Sequence, residues 1–277
     1  MPTGGFALIG FMARDQALTF LKEACCPVDP DDAVLEDIWN SARLALGNSV
    51  PHAGRPHIIN IPVAGQPYVD ALRSGIWQPT FAQKADWDIK LVEIEPLLAF
   101  QLSVDVPRSA HHCGHMKSPP TLEGLLGLAL PQVPTQEQIG LVQKPDSIVL
   151  KSKSLNVQCQ IQGADGQSIL VMQFGVALPF VQVVRLDGRC YLHNGYHRTY
   201  GAMNAGAKFI PAIIRDVPDA PSAGIRIDGK TIDLQTLESG RPPTMASFNK
   251  PGSCAVKLRA MTRVINVNWT EHFIPDE

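Results

Sequence analysis

The residues with the most chemical content lie in one run, Asn194-Gly195-Tyr196-His197-Arg198. Glycine gives the chain freedom for a tight turn. A helix that opens directly after such a turn presents unpaired N–H groups, and its dipole favours an anion, phosphate above all. Arg198 falls in the first helical turn, where its planar fork can add a bidentate contact. His197 can donate a further hydrogen bond, more strongly when protonated. Asn194 can cap the helix or orient a ligand. This is the physics of a phosphate-binding loop, although the chain carries no G-x-x-x-x-G-K-[ST] run.

Such a turn needs a rigid frame, and the flanking sequence supplies one. Strands at 181–186 and 190–194 pair around Asp187-Gly188-Arg189, an expected hairpin turn. A helix follows over 197–205, and Gly206 is placed to end it. Residues 208–217 return as a strand with Ile210, Ile213 and Ile214 apolar. Asp187 is an auxiliary candidate as a Mg²⁺ ligand, against its ordinary role in a turn.

The run from Leu186 to Arg198, with Gly206 and Ile210-Pro211-Ala212-Ile213-Ile214, resembles the ParB/sulfiredoxin superfamily. ParB-type domains carry G-x-x-R-x-x-A opening a helix, here Gly195, Arg198 and Gly201. Sulfiredoxins carry G-C-H-R at the same turn, here Gly195-Tyr196-His197-Arg198. A second, shorter resemblance runs from Val92-Glu93-Ile94-Glu95-Pro96 to Gln101, an auxiliary site candidate. The resemblance implies an α+β fold with a small mixed β-sheet and a nucleoside triphosphate, ATP or CTP, bound with Mg²⁺ at the helix N-terminus. Asn194, Gly195, Tyr196, His197 and Arg198 would hold the phosphates, with Tyr196 stacking on or shielding the ligand. Hydrolysis or transfer of phosphate is the implied chemistry. Tyr196 stands where sulfiredoxins have cysteine, which argues against sulfinic-acid reduction. The ParB acidic residue after the glycine is missing, and no helix-turn-helix pattern follows the core.

Two other readings stay open. One is a DNA-binding or nuclease-type protein that uses Lys250, Lys257, Arg259 and Arg263, a run without acids. The other is a non-catalytic scaffold. His111-His112-Cys113 with His115 resembles a metal cluster, but adjacent residues rarely converge on one ion, and a polar loop is the preferred reading. No metal ligands are assigned.

Three segments are expected around these residues. Residues 1–89 read as helical, with Asp15 capping one helix, Asp31 or Asp32 a second, and Gly47 ending it; 54–67 reads as loop. Residues 90–217 form the superfamily-like core, interrupted by a proline-rich insert at 107–145 with one helix at 121–130. Residues 218–277 form a strand and loop extension, including a hairpin of 225–227 with 231–234 and closing strands in 256–269. Further strands fall at 147–150, 155–161 and 168–174, with Asp165-Gly166 as a turn.

The 277 residues suffice for a core without staples. The net charge is −2, from 24 basic and 26 acidic residues, so no global field points to nucleic acid or a membrane. The six cysteines show no C-x-x-C and read as free thiols in a reducing compartment. No apolar stretch is long enough to span a bilayer. The expected location is the cytoplasm.

Overall fold

The computed structural model describes residues 3–26, 31–47, 54–114, 116, 118–133, 139–152, 157–163, 170–176, 178–226, 228–260 and 262–270. Its class is α+β. No helix among the described residues is long and apolar enough to cross a membrane. The chain forms two compact units, one of residues 1–133 with 179–259 and one of 134–178 with 260–277. The boundaries expected at 89/90 and 217/218 both fall inside the first unit.

The first unit is built on two sheets. In the five-stranded sheet the order is Arg189–Asn194, Gln182–Leu186, Phe209–Asp216, Asp88–Glu93, Ile58–Asn60. The pair Gln182–Leu186 and Phe209–Asp216 is parallel and the others are antiparallel. Parallel neighbours need a crossover, which the helix Tyr196–Asn204 supplies. The hairpin, helix and return strand expected from sequence are all present. The hairpin closes through Asp187 and Gly188 with φ of 50° and 72°, the left-handed pair that a tight hairpin turn requires.

The second sheet, also in the first unit, orders Cys25–Cys26, Cys254–Leu258, Thr3–Ala7, Ser103–Asp105. Thr3–Ala7 runs through its middle, a strand that the expected helical N-terminus did not include. Gly5 makes this possible, because a Cβ there would lie 2.5 Å from the Val104 carbonyl oxygen. The buried segment Leu97-Leu98-Ala99 runs along the edge strand Arg189–Asn194. Leu98 donates to the Cys190 carbonyl and its own carbonyl accepts from Leu192, at 2.9 Å each.

The helices Arg14–Ala24 and Asp32–Leu46 lie where the apolar spacing puts them, burying Leu18 and Leu21, and Leu35, Ala42 and Leu46. The first is entered from Ala13; Asp15 sits inside its first turn and does not cap it. Asp31 caps the second through the Ala33 N–H, and Gly47 ends it. The expected loop at 54–67 contains the edge strand Ile58–Asn60.

The proline-rich insert is divided between the units. Its first part belongs to the first unit and holds two helices, Val106–Cys113 and Leu122–Ala129. The second matches expectation, with Thr121 as its cap. The first corrects the loop assignment: Asp105 accepts from the Arg108 N–H at 2.7 Å, and Pro107 takes a first-turn position where no N–H is needed. The expected hairpin of 225–227 with 231–234 is a correction too. Thr231 closes a loop onto Arg226, and Asp233 caps a short helix, Leu234–Glu238.

In the second unit Ile139–Lys144, Ser147–Ser152 and Arg263–Asn268 form an antiparallel sheet, and Val157–Gly163 pairs with Leu170–Val176. Its Asp165-Gly166 turn lies outside the described residues.

Candidate functional site: a cationic junction of two helices

Gly195 has a φ of 95° and leads directly into the helix Tyr196–Asn204. A Cβ on it would lie 2.7 Å from a Val181 methyl carbon and 3.1 Å from the Val181 Cα, so only glycine fits this entry. Among the described residues no side chain caps the helix. Asn194 does not do so either; its side-chain oxygen accepts from the Gly195 N–H at 2.8 Å and holds the turn itself.

Tyr196 points inward. Its hydroxyl accepts from the backbone N–H groups of Phe100 and Gln101 at 2.9 and 3.3 Å, and its ring meets Phe100 edge-on. Burial drives its phenol well above the ordinary range. The expectation that Tyr196 stacks on or shields a ligand is therefore corrected: it is an anchor, tying the helix to the chain at Phe100. Gln101 reaches the turn helix only through its backbone, because its side chain donates to the Ser103 carbonyl. Asp187 lies at the other end of the hairpin. A strand of about five residues puts it roughly 17 Å from Asn194, so it is not gathered into the site.

His197 and Arg198 meet a second helix that the sequence reading did not find. Val106–Cys113 packs against Tyr196–Asn204 because Gly201 leaves room. A Cβ on Gly201 would lie 2.4 Å from the Cys113 sulfur and 2.8 Å from the Ser109 carbonyl oxygen. The close approach brings Arg108, His111 and His112 toward His197 and Arg198.

The electrostatic consequence is visible in each group. Burial, then the charge of Arg108, lowers Arg198 to about 10. Burial lowers His197 to about 3, with Arg108, His112 and Arg198 adding to the effect and Asp105 opposing it. Partial burial, then Arg198, Arg108 and His111, lowers His112 to about 4. His112 remains in part open to solvent, which tempers the effect there. Both imidazoles are thus neutral at pH 7. Among the described residues neither Arg108 nor Arg198 forms an ion pair. Asp105, the carboxylate in this field, already accepts from Thr3 Oγ1 and caps its own helix.

Arg198 also closes a stem. Its guanidinium donates to the carbonyls of Pro179 and, at 3.4 Å, Leu128. These residues flank the excursion of the chain into the second unit. The Val181 N–H adds a bond to the Ala129 carbonyl at 2.8 Å. A cavity of about 480 Å³ is lined by His112, Met116, Thr121, Glu123, Gly124, Gly127 and Leu128; neither Arg108 nor Arg198 lines it.

The other candidates do not join this site. Arg259 donates to the carbonyls of Cys25 and Lys22, each at 2.6 Å. Lys250 and Lys257 lie in the first unit with it, and Arg263 belongs to the second. The run that looked continuous in sequence is thus divided between the units. His111, His112 and Cys113 are helical, which corrects the polar-loop reading, and His115 lies outside the described residues. Among the described residues no group of three His, Cys, Asp or Glu side chains converges on a metal position.

The chain matches no protein-family model, no curated protein and no solved structure.

Proposed function

We propose that the junction of Val106–Cys113 and Tyr196–Asn204 binds a phosphate-bearing small molecule, a nucleoside triphosphate by the resemblance of its turn. The observation that carries this reading is Arg198: half-buried, next to Arg108 and two neutral imidazoles, and without a carboxylate partner among the described residues. Burying a cation is costly unless it is paired. Two carbonyls relieve part of that cost, and a bound phosphate would relieve more. Arg198 offers a planar fork, Arg108 a second charge, and the uncapped helix start its own N–H groups.

The reading is of binding, as a switch or as the first step of an enzyme. Among the described residues the junction has no group of three His, Cys, Asp or Glu side chains that would hold Mg²⁺ by protein atoms alone. Asp105, the obvious carboxylate, is already engaged. No chemical step is therefore assigned.

Calorimetric titration of the full chain with inorganic phosphate, tripolyphosphate, ATP and CTP tests the proposal. Binding should be saturable, and Arg198→Ala should weaken it by about 1.5–3 kcal/mol. Arg198→Lys should recover only part, because lysine keeps the charge without the fork. If none of the four compounds binds the parent, or if Arg198→Ala binds them equally well, the site is a structural brace and the reading is wrong.

A further inference from the structure

A separate cleft of the first unit opens between the helix Asp32–Leu46 and the short helix Leu234–Glu238 with the turn that follows it. It shares no lining residue with the cationic junction. Its volume is about 520 Å³, within the range of about 300–1,000 Å³ that small-molecule sites occupy. Trp39 and Arg43, four positions apart on the longer helix, face it together. Phe11, Met12 and Leu46 are buried and give it an apolar floor. Asp233 and Arg241 line it from the other side.

The polar side chains of this cleft are each held by a backbone group. The Trp39 indole N–H donates to the Met12 carbonyl at 3.1 Å. Arg43 donates through Nη1 to the Gly10 carbonyl at 3.0 Å, and Arg241 through Nη1 to the Gly47 carbonyl at 2.7 Å. A carbonyl carries no net charge, so neither guanidinium is neutralised. Among the described residues neither forms an ion pair. Asp233 is the one carboxylate among the residues that line the cleft, and both its oxygens are taken, by the Thr236 N–H at 2.7 Å and the Thr236 hydroxyl at 3.1 Å. The Nε and Nη2 edge of each arginine has no hydrogen bond among the described residues. That edge is the one that forks onto a carboxylate. Side chains fixed before a ligand arrives lose less freedom when it binds.

We propose that this cleft binds the anion of a small monocarboxylic acid with an apolar body, its carboxylate held by Arg43 and Arg241 and its body against Trp39 and the apolar floor. Charge decides the class of anion. Two arginines and one aspartate leave the lining with a formal charge of +1, which a single carboxylate balances. A multiply charged phosphate would set surplus negative charge beside Asp233. The floor decides the rest of the molecule, because Phe11, Met12 and Leu46 reward apolar surface and offer a bare ion nothing. The proposal is independent of the phosphate reading and uses none of its residues.

The test is a calorimetric titration of the full chain with phenylacetate, octanoate and naphthylacetate, each beside its neutral amide, and with acetate. At least one of the three apolar acids should bind saturably. Its amide, which lacks the charge, and acetate, which lacks the body, should each bind about tenfold or more weakly. Arg43→Gln and Arg241→Gln should each weaken the acid by about tenfold or more. Both arginines are exposed, so these variants should melt near the parent. Arg43→Lys and Arg241→Lys should recover part of the affinity, because the charge persists without the fork. Tripolyphosphate, the probe of the junction, should not displace the acid. The proposal is overturned if none of the three acids binds saturably, if the amides bind as tightly as the acids, or if either glutamine variant keeps the parent's affinity. Displacement by tripolyphosphate would also overturn it, since the cleft would then take phosphate. Failure of every phosphate compound at the junction leaves this proposal standing, and its own failure leaves the junction untouched.

Discussion

The two ends of the hairpin Gln182–Asn194 handle an arginine in opposite ways. At the turn end Arg185 is paired across the sheet with Asp216, through two hydrogen bonds of 2.8 and 2.7 Å, and both side chains are well exposed. Its pKa is raised, first by the Asp216 hydrogen bond, so it holds its proton more firmly. At the helix end Arg198 is half-buried, without a carboxylate, and shifted down by burial. An exposed pair in water is self-sufficient and contributes little. A buried cation with carbonyl partners alone retains capacity for an anion. The difference in surroundings, rather than the presence of an arginine, separates the end proposed as a site from the end that is a brace.

The largest test of this contrast acts on the helix contact that creates it. Gly201→Ala should force Val106–Cys113 away from Tyr196–Asn204, because backbone and sulfur both lie within its Cβ sphere. Overpacking of this kind costs about 1–3 kcal/mol. Denaturant melts should show that loss, together with weaker phosphate binding as Arg108 and His112 withdraw. Unchanged stability would mean that the helices are not held as close as described.

Acid gives a second, smaller effect confined to the helix end. His197 titrates at about 3 in the folded chain, against about 6.5 when unfolded. Below pH 6.5 the unfolded chain takes up a proton that the folded chain refuses, so stability falls as the pH drops toward 3. The contribution should be on the order of 1 kcal/mol between pH 7 and pH 5. His112 adds in the same direction. Thermal melts of the parent and of His197→Gln across this window should differ in slope, and saturating phosphate should flatten the parent's curve. A parent that is no less stable at pH 5, or a His197→Gln variant with the same slope, would remove His197 from the account.

The smallest effect belongs to the turn end. Asp216→Asn should change stability by about 1 kcal/mol or less, and less still in high salt. Phosphate affinity should not move. A change in that affinity would dissolve the distinction between the two ends.

Much of the frame was legible in the sequence because its signals are local. Asp187-Gly188 sets a hairpin, Gly195 opens a helix, Gly206 closes it, and the apolar run at Ile210 makes a strand. Half of the site was not legible. The helix Val106–Cys113 was hidden by Pro107, which reads as a loop former until Asp105 is seen to cap the turn that tolerates it. With that helix unseen, Arg108 carried no weight and His112 read only as part of a polar loop. The role of Tyr196 depends on Phe100, almost a hundred positions away, and no local pattern reveals such a contact. The basic run at the C-terminus was unreadable for the opposite reason: neighbours in sequence belong to different units.

Arg198 has one more consequence, which concerns chain closure. The chain leaves the first unit after Val133 and re-enters it at Pro179. Closing a flexible loop carries an entropy cost that grows only slowly with its length. The bonds from Arg198 to Leu128 and Pro179, and from Val181 to Ala129, fasten the exit and the return together inside the first unit. With its stem fixed there, the length of the excursion hardly matters to the first unit. The arginine proposed to meet a phosphate therefore also acts as a clasp, and a ligand that drew its guanidinium away would loosen the fastening of exit to return within the first unit.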